Sequence, residues 1–292
     1  MSNFPVHQKT KATIDKIITS PSQAYLFYGQ KGLGKLRVAY DVAYKILKID
    51  ASKLANGAAH AGLVLIGPEE GKKNIAISQV RDLSNKIWRT GSSTDSKRVI
   101  IINGIDKTLA PAANALLKNL EDCPRGATFI LIAESSEKVI PTIRSRVQLV
   151  YFREPNSSLV EEYLVDKYNI KSGLAAELVM MAHGVPSRAE GLMDEVLLDE
   201  TKQLNSLVKD FIKSNIPHRF VIAKIINEQK MGKDFLQELT YAIRQQSTIL
   251  MQGDKEVDIS LKNLDKVIHA STCVNNNINT RLILEDLALS LK

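Results

Sequence analysis

The stretch AYLFYGQKGLGKLRVAY, residues 24–40, decides the fold of this protein. It opens with an apolar, aromatic run typical of a buried strand, turns through a glycine-rich segment and continues as a helix. Glycines in such a turn let backbone N–H groups close around an anion, and the N-terminus of the following helix adds its positive end. The stretch therefore predicts a strand, a phosphate-binding loop and a helix in direct succession.

The loop matches the P-loop pattern except at its last position. That pattern asks for Gly, four residues, Gly-Lys and then Ser or Thr. Gly29, Gly32, Gly34 and Lys35 fit, and the lysine would reach the outer phosphates of a nucleotide. Leu36 stands where Ser or Thr would ligate Mg²⁺, and an aliphatic side chain cannot replace that ligand.

A second metal contact is missing after the strand RVIIIN, residues 98–103. A working P-loop ATPase needs a carboxylate at the end of a neighbouring strand to hold Mg²⁺ and polarise water. Here the strand runs into Asn103 and Gly104, and the next acid is Asp106. The sequence therefore predicts that the chain alone does not hydrolyse ATP, with rescue of the site by Asp106 as the alternative.

The bulk composition restricts the class of protein. The 292 residues carry a formal net charge of +7, which favours polyanionic partners without demonstrating them. No apolar run reaches the roughly 18 residues needed to span a bilayer, and the N-terminus lacks the apolar run of a signal peptide. Cys123 and Cys273 lie far apart, without the spacing of zinc ligands. We expect a cytoplasmic protein with no bound metal and no membrane partner.

Short apolar runs alternate with helical sequence in the first half of the chain. Continuous apolar strands of this kind indicate a parallel sheet covered on both faces, so the fold class is α/β. The predicted strands cover residues 24–29, 63–67, 98–103, 128–133 and 147–152, with helices at 80–88 and 111–123. After them the sequence is helical to its end. We predict an α/β P-loop domain over 1–154, a small unit of three helices over 155–195, and an all-α domain over 196–292.

The helix at residues 112–122 carries the most specific resemblance to known proteins. Its sequence AANALLKNLED, followed by Cys123 and Pro124, resembles the NALLKTLEEPP helix of the clamp-loader branch of the AAA+ ATPases. Within that branch the chain resembles the delta-prime subunits of bacterial DNA polymerase III. Residues 129–135 resemble the sensor-1 strand of the family, and residues 277–289 resemble its last collar helix. The resemblance implies an AAA+ domain, a lid and an oligomerisation collar for the three segments.

The segment PTIRSRV, residues 141–147, is similar to the one that carries the Ser-Arg-Cys motif of the family. Ser145 and Arg146 match, and Val147 replaces the cysteine. In the family the motif arginine is offered across the subunit interface to a neighbour's ATP, so the resemblance implies an arginine finger in trans at Arg146. Arg144 is the alternative finger, and an ion pair with a nearby acid is the alternative role of Arg146.

Residues 184–189, GVPSRA, resemble the sensor-2 region of the lid. They make Arg188 a candidate sensor, with its register open by one residue and a role in capping or solvating its helix as the alternative. The resemblance also implies partners: ATPase subunits of the gamma/tau type, a delta subunit, the sliding clamp and primed DNA. No cofactor is required, and binding of ATP or ADP without hydrolysis stays open. The zinc module of the ATPase subunits is absent, because no cysteine precedes residue 123.

The function stays open among three classes. The leading hypothesis is a binding and regulatory clamp-loader subunit that helps load the sliding clamp during DNA replication. The second is an ATP-binding or ATP-hydrolysing loader subunit of the gamma/tau type, for which turnover by the purified chain would be lost in Lys35→Ala. The third is a free-standing DNA-binding protein, which would bind DNA tightly by itself with a steep salt dependence.

Overall fold

The computed structural model describes residues 4–49, 60–72, 74–89, 97–250, 256–275 and 278–291. The chain divides into two compact units, residues 1–191 and residues 192–292. The first unit contains a parallel sheet with its helices and residues 155–191 of the predicted lid segment, and the second unit is helical. None of the helices described is both long and apolar enough to cross a membrane.

The first unit is built on a five-stranded sheet. Its strands span Ala24–Tyr28 (β1), Leu63–Ile66 (β2), Arg98–Asn103 (β3), Ala127–Ala133 (β4) and Gln148–Tyr151 (β5). Their order is β2-β3-β4-β1-β5, and every neighbouring pair is parallel. Parallel strands need crossovers that cover both faces, so both faces are apolar. In β1, Leu26 packs into one core while Tyr25 and Phe27 pack into the other. The predicted α/β class is confirmed.

Glycine and proline set the limits of several helices around the sheet. These helices span Gln8–Thr19 (α1), Lys35–Leu47 (α2), Ile77–Arg89 (α3), Ala110–Glu121 (α4) and Pro141–Arg144 (α5), with a 3-10 helix at Ile105–Lys107. Gly34, at φ 72°, caps the start of α2, so Lys35 is the first residue of that helix. Pro111 and Pro141 lie in the first turns of α4 and α5, where a missing N–H removes no helical hydrogen bond.

The lid segment contains three helices, of which the last is short. They span Ser157–Tyr168 (α6), Ser172–Met181 (α7) and Pro186–Gly191 (α8). Helical structure is interrupted at residues 192–194, because Asp194 caps a new helix that starts at Glu195. The Asp194 carboxylate accepts hydrogen bonds from the backbone N–H groups of Val196 and Leu197.

The second unit is a bundle of amphipathic helices. They span Glu195–Lys213 (α9), Ile216–Glu228 (α10), Gly232–Leu250 (α11), Glu256–Asn275 (α12) and Thr280–Ser290 (α13). Their apolar faces share one core, in which the rings of Phe211 and Phe235 meet edge to face at 5.3 Å. Asn279 caps the last helix by accepting a hydrogen bond from the Arg281 N–H. This final helix covers residues 280–289 of the segment 277–289 that resembles the last helix of the family, and residue 277 lies outside the described residues.

Candidate functional site

A cavity of about 570 Å³ opens at the carboxyl ends of β3 and β4, beside the glycine loop. Open parallel sheets bind ligands at this edge, and the volume lies in the range of small-molecule sites. The loop and α2 contribute Lys31, Gly32, Gly34, Lys35, Leu36 and Tyr40 to its lining. The opposite side contributes Asn103, Asp106, Lys107 and Glu134. The structure thus brings the P-loop residues Gly32, Gly34, Lys35 and Leu36 together with the end of β3. In a working P-loop ATPase the metal-binding carboxylate lies at the end of such a strand.

Positive φ angles run through the glycine loop, with Gly29 at 142°, Gly32 at 88° and Gly34 at 72°. Residues other than glycine rarely adopt such backbone angles. At Gly34 there is also no room, because a Cβ would lie 2.1 Å from Cε1 of Phe4. At Gly32 a Cβ would lie 2.5 Å from Cγ1 of Val185 in the lid. The N-terminal segment and the lid therefore both contact the loop closely.

Lys35 is almost fully buried at the base of the loop. Its Nζ donates hydrogen bonds to the carbonyl oxygens of Gly29, at 2.5 Å, and Gln30, at 2.6 Å. Burial lowers the pKa of Lys35 to about 8, and the negative charges of Glu134 and Asp106 act in the opposite direction. An amine with this pKa is mostly protonated at pH 7. Lys35 can therefore offer a positive charge to a phosphate in exchange for the loop carbonyls.

The two positions at which a P-loop ATPase holds Mg²⁺ do not fit the ion in this chain. Leu36 lines the cavity with an aliphatic side chain, and Asn103 ends β3 with an amide. Asp106 reaches the cavity from the 3-10 helix. Its Oδ2 accepts a hydrogen bond from the Glu134 N–H at 3.0 Å, and its Oδ1 is buried without a hydrogen-bond partner among the described residues. One carboxylate remains near the loop, without the usual hydroxyl ligand.

The lid reaches the cavity one residue before the predicted sensor. The Ser187 N–H donates a hydrogen bond to the carbonyl oxygen of Gly32 at 3.1 Å. Among the described residues that line the cavity, the lid contributes Ser187 and not Arg188. Arg188 is half-buried and has an interaction of its own.

Arg37 joins α2 to the lid. Its Nη1 donates to the Tyr163 hydroxyl at 2.9 Å and lies 3.4 Å from Oε1 of Glu190. Its guanidinium also stands over the Phe4 ring, 5.0 Å from the ring centroid, and the rings of Phe4 and Tyr163 meet edge to face. The N-terminal segment, the P-loop helix and the lid therefore form one packed junction.

Glu190 is the acceptor at the centre of this junction. Its Oε1 receives hydrogen bonds from Nζ of Lys167 at 2.5 Å, from the Tyr168 hydroxyl at 3.2 Å and from the Tyr163 hydroxyl. Burial alone would raise the pKa of Glu190, but the hydrogen bonds from Lys167 and Tyr163 outweigh burial and lower it. Burial alone would lower the pKa of Lys167, but the hydrogen bonds to Glu190 and Tyr163 outweigh burial and raise it.

We expect Glu190→Gln to loosen the lid. The neutral amide loses the charge-assisted hydrogen bonds that join α8 to α6 and α2, a loss of about 1.5–3 kcal/mol per bond at most. Amide hydrogen exchange should therefore become about ten-fold faster at Ser187, whose N–H is bonded to the P-loop. Glu177→Gln, an exposed change in the same lid, serves as the control. Equal exchange rates in both variants would contradict the expectation.

Arg146 lies on the surface, 41% exposed, two residues after the end of α5. Nη2 is 2.7 Å from Oε1 of Glu121, and Nη1 donates to the carbonyl oxygen of Thr142 at 2.9 Å. Ser145 is exposed beside it, whereas Arg144 is half-buried. Neither arginine is among the described residues that line the cavity. The ion pair considered as an alternative for Arg146 is thus present, on a side chain that also faces solvent.

Several residues of the site were missed by sequence reasoning. Phe4, Arg37 and Glu190 meet only because the lid folds onto the P-loop, and no local pattern joins them. Glu134 could have been singled out, because it directly follows β4 and lies within residues 129–135, which resemble sensor 1. Asp106, the alternative metal ligand, lines the cavity because the chain turns there through Gly104, at φ 85°, and the 3-10 helix.

The family model described as "DNA polymerase III, delta subunit" matches residues 7–156, just over half of the chain. The chain belongs to this family. Among its relatives are the DNA polymerase III subunits delta' of Pseudomonas aeruginosa, 28% identical over 67% of this chain, and of Bacillus subtilis, 26% identical over 85%. The chain spans 63% of the length of the first relative and 75% of the second.

The similarity extends to a tau subunit of DNA polymerase III and to solved structures. The DNA polymerase III subunit tau of Bacillus subtilis is 25% identical over 60% of this chain and 33% of its own. A DNA polymerase III gamma subunit-related protein from Thermotoga maritima matches 97% of this chain and 98% of its own, with a TM-score of 0.57 and 20% identity. Thermotoga maritima RuvB matches 76% of this chain and 82% of its own, with a TM-score of 0.51 and 12% identity. At these identities the two structures support the AAA+ fold alone.

Proposed function

We infer that this chain is a delta-prime-like subunit of a DNA polymerase III clamp loader and does not hydrolyse ATP by itself. The observation that carries the inference is Leu36, which lines the cavity at the position of the hydroxyl ligand for Mg²⁺. Asn103 at the end of β3 removes the second usual contact. The delta' relatives support the assignment to the loader, whose task would be to place the sliding clamp on primed DNA in the cytoplasm.

The second part of the proposal gives Arg146 a role in a neighbour's active site. An arginine donated in trans stabilises the charge that develops on a transferred phosphoryl group. Arg146 is exposed and lies outside the lining of its own cavity, which suits donation to another chain. The adjacent edge strand β5 presents Leu149 and Tyr151, each 50% exposed, as apolar surface that a neighbouring subunit could cover.

The partners proposed are ATPase subunits of the gamma/tau type, a delta subunit, the clamp and DNA. The second unit would serve as the collar through which subunits associate. On its last helix, Leu282 is 61% exposed and Leu289 is 59% exposed, which leaves apolar surface for such an association. The net charge of +7 suits contact with DNA phosphates, without reading of bases. Neither zinc nor another cofactor is required for this role.

Two uses of the cavity are compatible with its residues. Lys35 and the glycine loop favour binding of ATP or ADP without turnover, because both phosphate-binding elements are in place. Asp106 lines the cavity and has one buried oxygen without a hydrogen-bond partner among the described residues, which favours the second candidate function, a hydrolysing subunit of the gamma/tau type. The first use accords better with Leu36.

Steady-state ATPase assays decide between the two candidates. We expect the purified chain to show the same background turnover as Lys35→Ala, because the two metal contacts are missing. A loader reconstituted without this chain should fail to load clamps on primed DNA, whereas a loader that contains it should load them. Turnover by the chain alone that disappears in Lys35→Ala would select the hydrolysing subunit instead.

A further inference from the structure

Arg146 is held by an acid from outside its own segment. Nη2 lies 2.7 Å from Oε1 of Glu121, the last residue of α4. Nη1 donates to the carbonyl oxygen of Thr142 at 2.9 Å and to the hydroxyl of Ser145 at 3.3 Å. We propose that Glu121 is a positioning residue that keeps the Arg146 guanidinium ready for the phosphate of a neighbouring subunit. This inference rests on the donation proposed for Arg146.

Both side chains of the pair extend from a fixed backbone. Leu120 directly precedes Glu121 and is 3% exposed, and Ile143, three residues before Arg146, is 1% exposed. The two apolar residues belong to the same core, and α4 and α5 contact each other there. Packing in the first unit therefore sets the separation of the two backbone positions, and the side chains bridge it with the ion pair.

Folding stability does not explain the pair. The two side chains are 41% and 51% exposed, and an ion pair with such access to water and salt contributes little to folding. A long side chain that must be immobilised during binding loses rotamer freedom, and a side chain that is already ordered avoids this loss. The benefit of the pair therefore falls on the step in which Arg146 meets its target.

The contacts made by Arg146 leave part of the guanidinium available. Arginine has five N–H donors in a planar fork, and the acceptors on Glu121, Thr142 and Ser145 engage only some of them. Two of these acceptors belong to the arginine's own segment and would stay in place when a neighbour binds. The opposite role, in which Glu121 competes with the phosphate and restrains the arginine, predicts a change of rate in the other direction.

The test is a double-mutant cycle on the reconstituted loader with clamp and primed DNA. We expect Glu121→Ala to lower kcat for ATP about 3- to 10-fold, with the KM for ATP unchanged, because order is lost from a group that acts during phosphoryl transfer. Glu121→Gln keeps an oxygen acceptor and should retain most of the rate. Glu121→Ala should have no effect in the Arg146→Ala background. Asp122→Ala removes the neighbouring exposed carboxylate, and its rate should equal that of the wild type.

Each outcome bears on a different step. Three results would overturn the positioning role. They are a higher rate in Glu121→Ala, an equal loss of rate in Asp122→Ala, and a full effect of Glu121→Ala in the Arg146→Ala background. If Arg146→Ala lowers the rate and Glu121→Ala does not, the positioning role falls and the donated arginine stands. If Arg146→Ala has no effect, both proposals fall. Co-purification of each variant with the other subunits establishes that the loader is assembled in every assay.

Discussion

Replacing Arg146 with Ala should lower the ATPase rate of the assembled clamp loader by about ten-fold or more. An arginine that enters a neighbour's site neutralises charge in the transition state, so its loss acts mainly on kcat. The Arg146 side chain is exposed and already ordered by its own segment, so truncation should not disturb the fold. The chain alone should be inactive in both forms, because the effect belongs to the neighbour's nucleotide.

The measurement is steady-state ATP turnover by the reconstituted loader with clamp and primed DNA. Arg144→Ala tests the alternative finger, and the half-buried position of Arg144 predicts a smaller effect. Arg125→Ala, at an exposed arginine outside the motif, controls for loss of surface charge. Wild-type turnover in Arg146→Ala would remove this residue from the mechanism and leave the chain as a scaffold of the loader.

Replacing Arg219 with Met should destabilise the second unit by about 3 kcal/mol. Arg219 is 8% exposed, and its guanidinium donates hydrogen bonds to carbonyl groups at the ends of two helices. At the end of α9 it donates to the carbonyl oxygens of Phe211, at 2.9 Å, and Ile212, at 3.1 Å. Near the end of α13 it donates to the carbonyl oxygen of Leu291 at 2.7 Å. The last carbonyl groups of a helix have no hydrogen-bond partner within it, and their oxygens carry partial negative charge, so a cationic donor satisfies them.

Urea unfolding of the full chain, monitored by hydrogen exchange in peptides from residues 195–291, would measure the loss of stability in the second unit. Lys224→Met on the same helix is the matched control, because Lys224 is 71% exposed and should change stability by no more than about 0.5 kcal/mol. Arg219→Lys should fall between the two, since a single ammonium group cannot span both helix ends. If Arg219→Met behaved like the control, the carbonyls would have to be satisfied by water instead.

The strands were predictable from sequence because their signal is local. A continuous apolar run such as RVIIIN requires cover on both faces, and β3 occupies residues 98–103 as predicted. The glycine loop was predictable for the same reason. Its turn needs positive φ angles at Gly32 and Gly34, and few residues other than glycine adopt them, so the glycines mark the turn in the sequence. The break between α8 and α9 lies at residues 192–194, before the boundary predicted at residues 195–196. Asp194 reads as part of an amphipathic run until its side chain is seen to cap the next helix.

The sequence by itself determined the parallel sheet, the P-loop form of the first turn and the absence of a hydroxyl at Leu36, because each depends on residues adjacent in the chain. Only the tertiary structure decided what surrounds these elements. Arg37 and Glu190 are 153 residues apart, and they meet because the lid packs on the P-loop helix. Glu121 reaches Arg146 because α4 and α5 share one core. Contacts of this kind depend on how separate elements pack, and no spacing within a single helix or strand encodes them.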